Sequence, residues 1–312
     1  MPGSRVVVTG ASGFVGSHLV RRLAGEGMQV GVLIRSNRNV QRIKDVLPRL
    51  QVFHADLRDH SSVADALTRF QPECLVHLAW QGVGNRERND LQQLENLSLA
   101  LNLLRAARAA GCQTYVGVGS QAEYGACRDV ISEDTPNNPT TIYGLTKLCH
   151  CLQAREFCAS AGMRFVWLRL FSSYGPDDDP SWMIPYLVQT LLRGETPSLT
   201  LGEQKWDYIH VRDVAGAILA VVQNAKASGI YNLGSGDAAT LRSTIEYIRD
   251  LIDPSLSLGF GQIPYRPDQV MFLQADISRL AADTGWRPGI RIQEGLREVV
   301  NVYKAALSLP PA

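Results

Sequence analysis

The chain of 312 residues carries almost no net charge: 31 basic side chains against 30 acidic ones leave a formal +1. No global field therefore draws it to nucleic acid or to an anionic membrane, and any anion recognition must be local. It also lacks a basic stripe with interleaved aromatics, the footprint of a nucleic-acid partner. No apolar run approaches the ~20 residues that a bilayer span requires. No charged-then-apolar leader precedes the first strand-like run. Internal repeats and low-complexity tails are absent as well. Cysteine is sparse and scattered, at positions 74, 112, 127, 149, 151 and 158. The tightest group, Cys149-His150-Cys151, matches no common zinc spacing, and residues two apart on a helix point away from each other. These absences predict no metal and no disulfide framework, and a cytoplasmic setting.

What is present suits one large α/β body. Apolar residues make up 45% and charged residues 20%, as in ordinary globular proteins. Strand-like runs fall near 5–9, 29–34, 51–54, 73–78, 114–118 and 164–170. They alternate with helical stretches at 14–26, 61–69, 90–110 and 143–161. Such alternation predicts a doubly wound parallel sheet with helices on both faces. After about residue 175 the pattern loosens, because Pro176, Asp177 to Asp179, Pro180, Pro185 and Pro197 break up the region. Short elements near 207–210 and 229–233 follow, with helices at 213–224 and 240–252. The expected division is residues 1–175 as a nucleotide-binding domain, to which 207–235 returns, and 176–312 as a mainly substrate-binding lobe. That lobe is expected across the sheet's C-terminal edge, where open α/β sheets bind ligands.

Three motifs carry chemistry. Gly10, Gly13 and Gly16, with Phe14 and Val15 among them, follow the apolar run Val6 to Val8 and open a helix. Bare backbone at a helix N-terminus suits a pyrophosphate. Tyr143 and Lys147 stand four apart near the start of a helix, and so share one face. A free phenol titrates near ~10, and a nearby ammonium would bring it toward useful acid–base strength. Ser120 ends a strand at the same sheet edge and could hydrogen-bond a substrate oxygen beside Tyr143.

Taken together, the glycine turn, the serine and the Tyr-x-x-x-Lys motif resemble the extended short-chain dehydrogenase/reductases, specifically the Rossmann-type branch acting on nucleotide sugars. The likeness covers nearly the whole chain and includes Asp56-Leu57, His77-Leu78-Ala79, Asn96 and Leu168-Arg169-Leu170-Phe171. It continues through Tyr174-Gly175-Pro176, Asp207 to Val211 with Asp213, Tyr231 to Gly236, Arg266-Pro267 and Gly285-Trp286-Arg287-Pro288. The resemblance implies that Tyr143 is the acid–base and that Lys147 supports it and holds the nicotinamide ribose. Ser120 would polarise the sugar oxygen. Asp56, Leu57, Leu78, Ala79, Asn96 and Leu170 would line the cofactor, and Gln121 the substrate. Arg266 would bind the diphosphate, as a forked guanidinium can.

The end of the second strand bears on the cofactor. Ile34 offers no carboxylate to a ribose, whereas Arg35 and Arg38 could clamp a 2′-phosphate, so NADP(H) is favoured over NAD. Departures from the family pattern narrow the reaction. Dehydratases of this kind place an Asp-Glu pair where Gln121-Ala122 stands, with Glu123 displaced by one, which argues against a 4,6-dehydratase. Trp206 replaces an arginine and Ser172 an asparagine, which hints at a different nucleotide or sugar pose. The Ser-Gln-Ala-Glu-Tyr-Gly run, and Arg266 to Val270 leading to Asp276, look most like the 4-ketoreductases. These reduce a nucleotide-linked 4-keto-6-deoxyhexose with NADPH. A 4-epimerase with tightly held NAD is the second reading, and a non-catalytic NADP(H)-binding regulator the third. Leu94, Leu97, Leu101 and Leu104, with Leu145, Leu148 and Leu152, give two helices apolar faces. In similar proteins such helices pair across a two-fold axis, implying a homodimer.

Overall fold

A computed structural model describes residues 3–35, 40–266 and 269–307. Its centre is a seven-stranded parallel sheet built from β1 (Arg5–Thr9), β2 (Gln29–Ile34), β3 (Leu50–His54), β4 (Cys74–His77), β5 (Thr114–Ser120), β6 (Arg164–Leu170) and β7 (Gly229–Leu233). The spatial order is β7-β6-β5-β4-β1-β2-β3. Reversal of direction at β1 and β4 makes the crevice beyond their C-terminal ends the expected ligand site of a Rossmann-type fold.

The strands are apolar on both faces because both are covered. On one face, α1 (Phe14–Gly25) and α6 (Val211–Gln223) bury Leu19, Leu23, Val214 and Ile218 against Val6, Val8 and Val32. On the other, α2 (His60–Phe70), α3 (Glu95–Ala109) and α4 (Ile142–Ala161) bury Leu67, Leu103, Cys151 and Cys158 against Val7, Leu75, Tyr115 and Trp167. A separate cluster holds the remaining lobe together. In it, α5 (Met183–Leu192), α7 (Leu241–Ile252) and α9 (Ile292–Leu307) meet through Leu187, Val188, Ile245, Ile248, Leu296 and Val299.

Two expectations need correction. The helix expected over 90–110 starts later: Asp90 accepts a hydrogen bond from the Gln92 N–H at 2.8 Å, which begins a 3₁₀ turn at Leu91–Leu94, and α3 proper runs from Glu95. Pro185 does not break the chain but is the third residue of α5. Proline is tolerated there because N–H groups of a first turn have no intrahelical acceptor. Between α7 and α9, α8 (Ser278–Thr284) ends at Gly285, whose φ of 73° stops the helix. No described helix is long and apolar enough to cross a membrane. Among the described residues, no group of three or more His, Cys, Asp or Glu could hold a metal ion.

Candidate active site

The glycine turn lies at the end of β1. Gly10 has a φ of +74°, and a Cβ there would meet the Ala79 amide nitrogen at 2.7 Å, so only glycine fits between β1 and β4. A Cβ on Gly16 would fall on the Gly10 carbonyl oxygen, which fixes how closely α1 approaches the turn. Gly13 precedes α1 with no side-chain cap, and leaves that helix's first N–H groups open to an anion. Thr9 ties the two central strands together: its hydroxyl bonds His77 Nδ1 at 2.8 Å and accepts from the Ala79 N–H at 3.3 Å.

Ser120 is the last residue of β5, in register with Leu170 of β6. Its backbone N–H donates to Glu123 Oε1 at 2.9 Å, and its hydroxyl accepts from the Ala122 N–H at 3.2 Å. Glu123 itself is fully buried, accepting from Arg169 Nε at 2.8 Å and Trp167 Nε1 at 3.1 Å. Burial pushes its carboxyl up, while Arg169 and the Ser120 N–H pull it back. This carboxylate is therefore committed beneath the site and anchors Ser120 from below.

Tyr143 and Lys147 rise from the first turns of α4. Thr141 caps that helix by accepting from the Gly144 N–H at 3.0 Å. The loop after β4 docks on the same end, where the Arg88 carbonyl accepts from the Tyr143 N–H at 2.8 Å and Asn89 Oδ1 from the Ile142 N–H at 3.2 Å. Tyr143 is 5% exposed and Lys147 likewise 5%. The Ser120 side chain acts on the Tyr143 phenol, and Lys147 Nζ lies 5.9 Å from the centre of the Tyr143 ring, so the fold brings the three residues to one place.

The electrostatics differ from expectation. Burial pushes the Tyr143 phenol up, and the cation opposing this is Arg88, whose guanidinium carbon lies 5.1 Å from the ring centre. Lys147 Nζ lies 5.9 Å from that ring, donates to the Val118 carbonyl at 2.8 Å, and sits 3.7 Å from the centre of the Trp80 indole. Burial draws the Lys147 ammonium down to about 7.

The remaining expected residues fall on two sides of this cluster. Phe14, Val15, Leu57, Leu78, Ala79 and Leu170 are half-buried along the sheet edge. Asp56 is gripped by Arg58, with Nη2 to Oδ2 at 2.7 Å, which lowers its carboxyl to about 2. Arg35 is half-buried just beyond β2 and adds to the field at Asp56, whereas Arg38 lies outside the described residues. Asn96 braces the loop: its Oδ1 accepts from the Gln81 N–H at 3.0 Å and its Nδ2 donates to the Gln93 carbonyl at 3.1 Å. Its amide faces protein backbone, because the loop folds back over the start of α3.

Of the residues expected to face substrate, Gln121 is half-buried in the turn after Ser120. Trp206 and Ser172, the two departures from the family pattern, bond each other, Nε1 donating to Oγ at 2.6 Å. Arg266 is exposed and forms no ion pair among the described residues. Arg88 and the Glu123–Arg169 pair were not anticipated as parts of the site. Arg88 lies in a loop without periodicity, and the pair joins the turn after β5 to β6, 46 residues apart.

A family model described as the NAD dependent epimerase/dehydratase family matches residues 6–234 of the chain. A GDP-6-deoxy-D-mannose reductase of Pseudomonas aeruginosa is 27% identical over 96% of this chain and 97% of its own length. A putative UDP-glucose 4-epimerase of Methanocaldococcus jannaschii is 28% identical over 96% and 98%. Among solved structures, a UDP-glucose 4-epimerase of Thermus thermophilus in complex with NAD has a TM-score of 0.87 and 29% identity, covering 97% of this chain and 99% of that one.

Proposed function

The chain belongs to the NAD dependent epimerase/dehydratase family, and on that premise we propose that it reduces the C4 ketone of a nucleotide-linked 4-keto-6-deoxyhexose with NADPH. The observation that carries this reading is the Ser120–Tyr143–Lys147 cluster, beside which no free carboxylate stands among the described residues. Elimination of water needs an acid–base pair, and Glu123 is held by Arg169 and Trp167 beneath the site. Bound NADPH would supply the hydride to C4. The Tyr143 hydroxyl gives its proton to the carbonyl oxygen, and the Ser120 hydroxyl donates to the same oxygen as charge develops there. Lys147 would hold the nicotinamide ribose and support Tyr143. Residues 1–175, with 207–235, would hold the cofactor, and the rest of 176–312 mainly the sugar nucleotide, with Arg266 at the diphosphate.

The test is purified protein with NADPH and a panel of nucleotide-linked 4-keto-6-deoxysugars, followed by loss of reduced-nicotinamide absorbance. Stoichiometric consumption is expected, and an untouched panel overturns the proposal. The second reading, a 4-epimerase, draws support from the epimerases among the similar proteins, which include the two described above. It predicts no net consumption of NADPH and NAD retained through purification.

Two further expectations follow from named residues. Replacing Arg35 with alanine should raise KM for NADPH by roughly tenfold or more with NADH unaffected, because a hydrogen bond to a charged phosphate is lost. Steady-state kinetics with both cofactors measure this. The chain is also expected to be a homodimer: Leu94 is exposed in the turn before α3, and Leu145 and Leu152 on α4, whereas Leu104 is buried on the sheet. Light scattering at micromolar concentration should give twice the mass of one chain. A cytoplasmic setting accords with buried, unpaired Cys74, Cys112, Cys151 and Cys158.

A further inference from the structure

Lys147 is nearly enclosed, yet among the described residues no carboxylate touches its ammonium. Its partners are the Val118 carbonyl, at 2.8 Å from Nζ, and the Trp80 ring, 3.7 Å from Nζ to the ring centre. A cation this close over an indole is attracted by the negative face of the ring, the more so where water is excluded. An enclosed cation ordinarily demands an ion pair or several hydrogen bonds. The titratable groups around it do not provide one. Tyr143 and His150 face it from its own helix, His77 from the end of β4, and Glu123 from the turn after β5. Burial keeps both imidazoles neutral and the phenol protonated. Glu123 is paired with Arg169.

We propose that Trp80 is a positioning residue for the Tyr143–Lys147 pair, its indole face holding the Lys147 ammonium against the Val118 carbonyl in place of a carboxylate. The inference rests on the reading of Lys147 as the group that supports Tyr143. The indole is itself fixed. Its Nε1 donates to Gln93 Oε1 at 2.9 Å, and Gln93 Nε2 donates to the carbonyls of Gly82 at 2.5 Å and Glu87 at 3.1 Å. Gln93 is 2% exposed, so this bracket is shielded from competing water. The same ring stands edge-on to Tyr143, with centroids 6.4 Å apart, and one aromatic thus contacts both members of the pair.

Lys147 is one of five lysines in the chain. Lysine side chains labelled for NMR therefore give a short spectrum, in which Lys147 is assigned by its loss in Lys147→Arg. In Trp80→Leu the ammonium should lose its proton about one pH unit lower than in the parent chain. Fluorinated tryptophans placed at position 80 keep the ring's shape while weakening its negative face. They should lower the midpoint stepwise, and they serve even if Trp80→Leu fails to fold. Where turnover is measured, its alkaline limb should move to lower pH in the same order, because the charged form of Lys147 is lost earlier. A midpoint that stays put across the fluorinated series overturns the proposal, as does one that rises in Trp80→Leu when water reaches the amine. The Lys147 readout needs no sugar. An inactive substrate panel therefore leaves this test intact, and a flat fluorinated series leaves the reductase reading standing.

Discussion

Tyr143→Phe should lower turnover by about a hundredfold to ten-thousandfold and leave cofactor affinity unchanged. The substitution removes one hydroxyl and nothing else. The backbone N–H of residue 143 still donates to the Arg88 carbonyl, and the ring keeps its place between Arg88 and Trp80. The helix cap at Thr141 is untouched. On the proposed reading, what disappears is the proton that must reach the sugar oxygen as hydride arrives at carbon. Single-turnover kinetics, paired with a fluorescence titration of NADPH, separate the two effects. Turnover within tenfold of the parent would remove Tyr143 as the proton donor. If the protein were a non-catalytic regulator, its output would survive the change.

The second large effect concerns stability. Arg169→Met should cost ~3–5 kcal/mol, because it leaves the Glu123 carboxylate buried without its partner. The pair is enclosed, with side-chain exposures of 1% and 0%, so water cannot take over the lost contact. The Trp167 and Ser120 N–H groups remain but carry no compensating charge. Adding Glu123→Gln to the same chain should recover much of the loss, since no buried charge is then left unpaired. Urea unfolding with an unchanged slope would show this as a fall and partial return of the midpoint. If Arg169→Met alone were neutral, the pair would not be holding the floor of the site.

Much of this architecture is legible in the residues. The apolar runs from Val6, Val30, Leu75, Val116 and Val166 become sheet strands because each is covered on both faces. Alternation with helices then fixes the topology, and the glycine turn and Tyr143–Lys147 spacing place the cleft. The second half is harder to read. Pro185 looks like a break until its place in the first turn of α5 is known. The strand at Ser172–Tyr174 is three residues long, too short for any periodicity to register, and its one partner among the described residues is Tyr208–His210, the short element expected near 207–210. Contacts across distant segments are invisible for a different reason. Nothing local tells that Glu123 meets Arg169, or that Trp80 lies on Lys147. Likewise, Trp206 and Ser172 read as two separate substitutions, yet they form one hydrogen-bonded unit.

The loop from Trp80 to Leu94 has a consequence for how such a protein can change. It carries the indole on Lys147, the guanidinium beside Tyr143, and two of the contacts that start α4. Loops at this edge of a sheet are where one enzyme's preferences usually diverge from another's. Here the same stretch also sets the environment of Tyr143 and Lys147. A graft that exchanged it to admit a new sugar would carry a new pH optimum along with it. Preference and chemistry are thus linked in a single inherited segment, and neither can be redesigned without retuning the other.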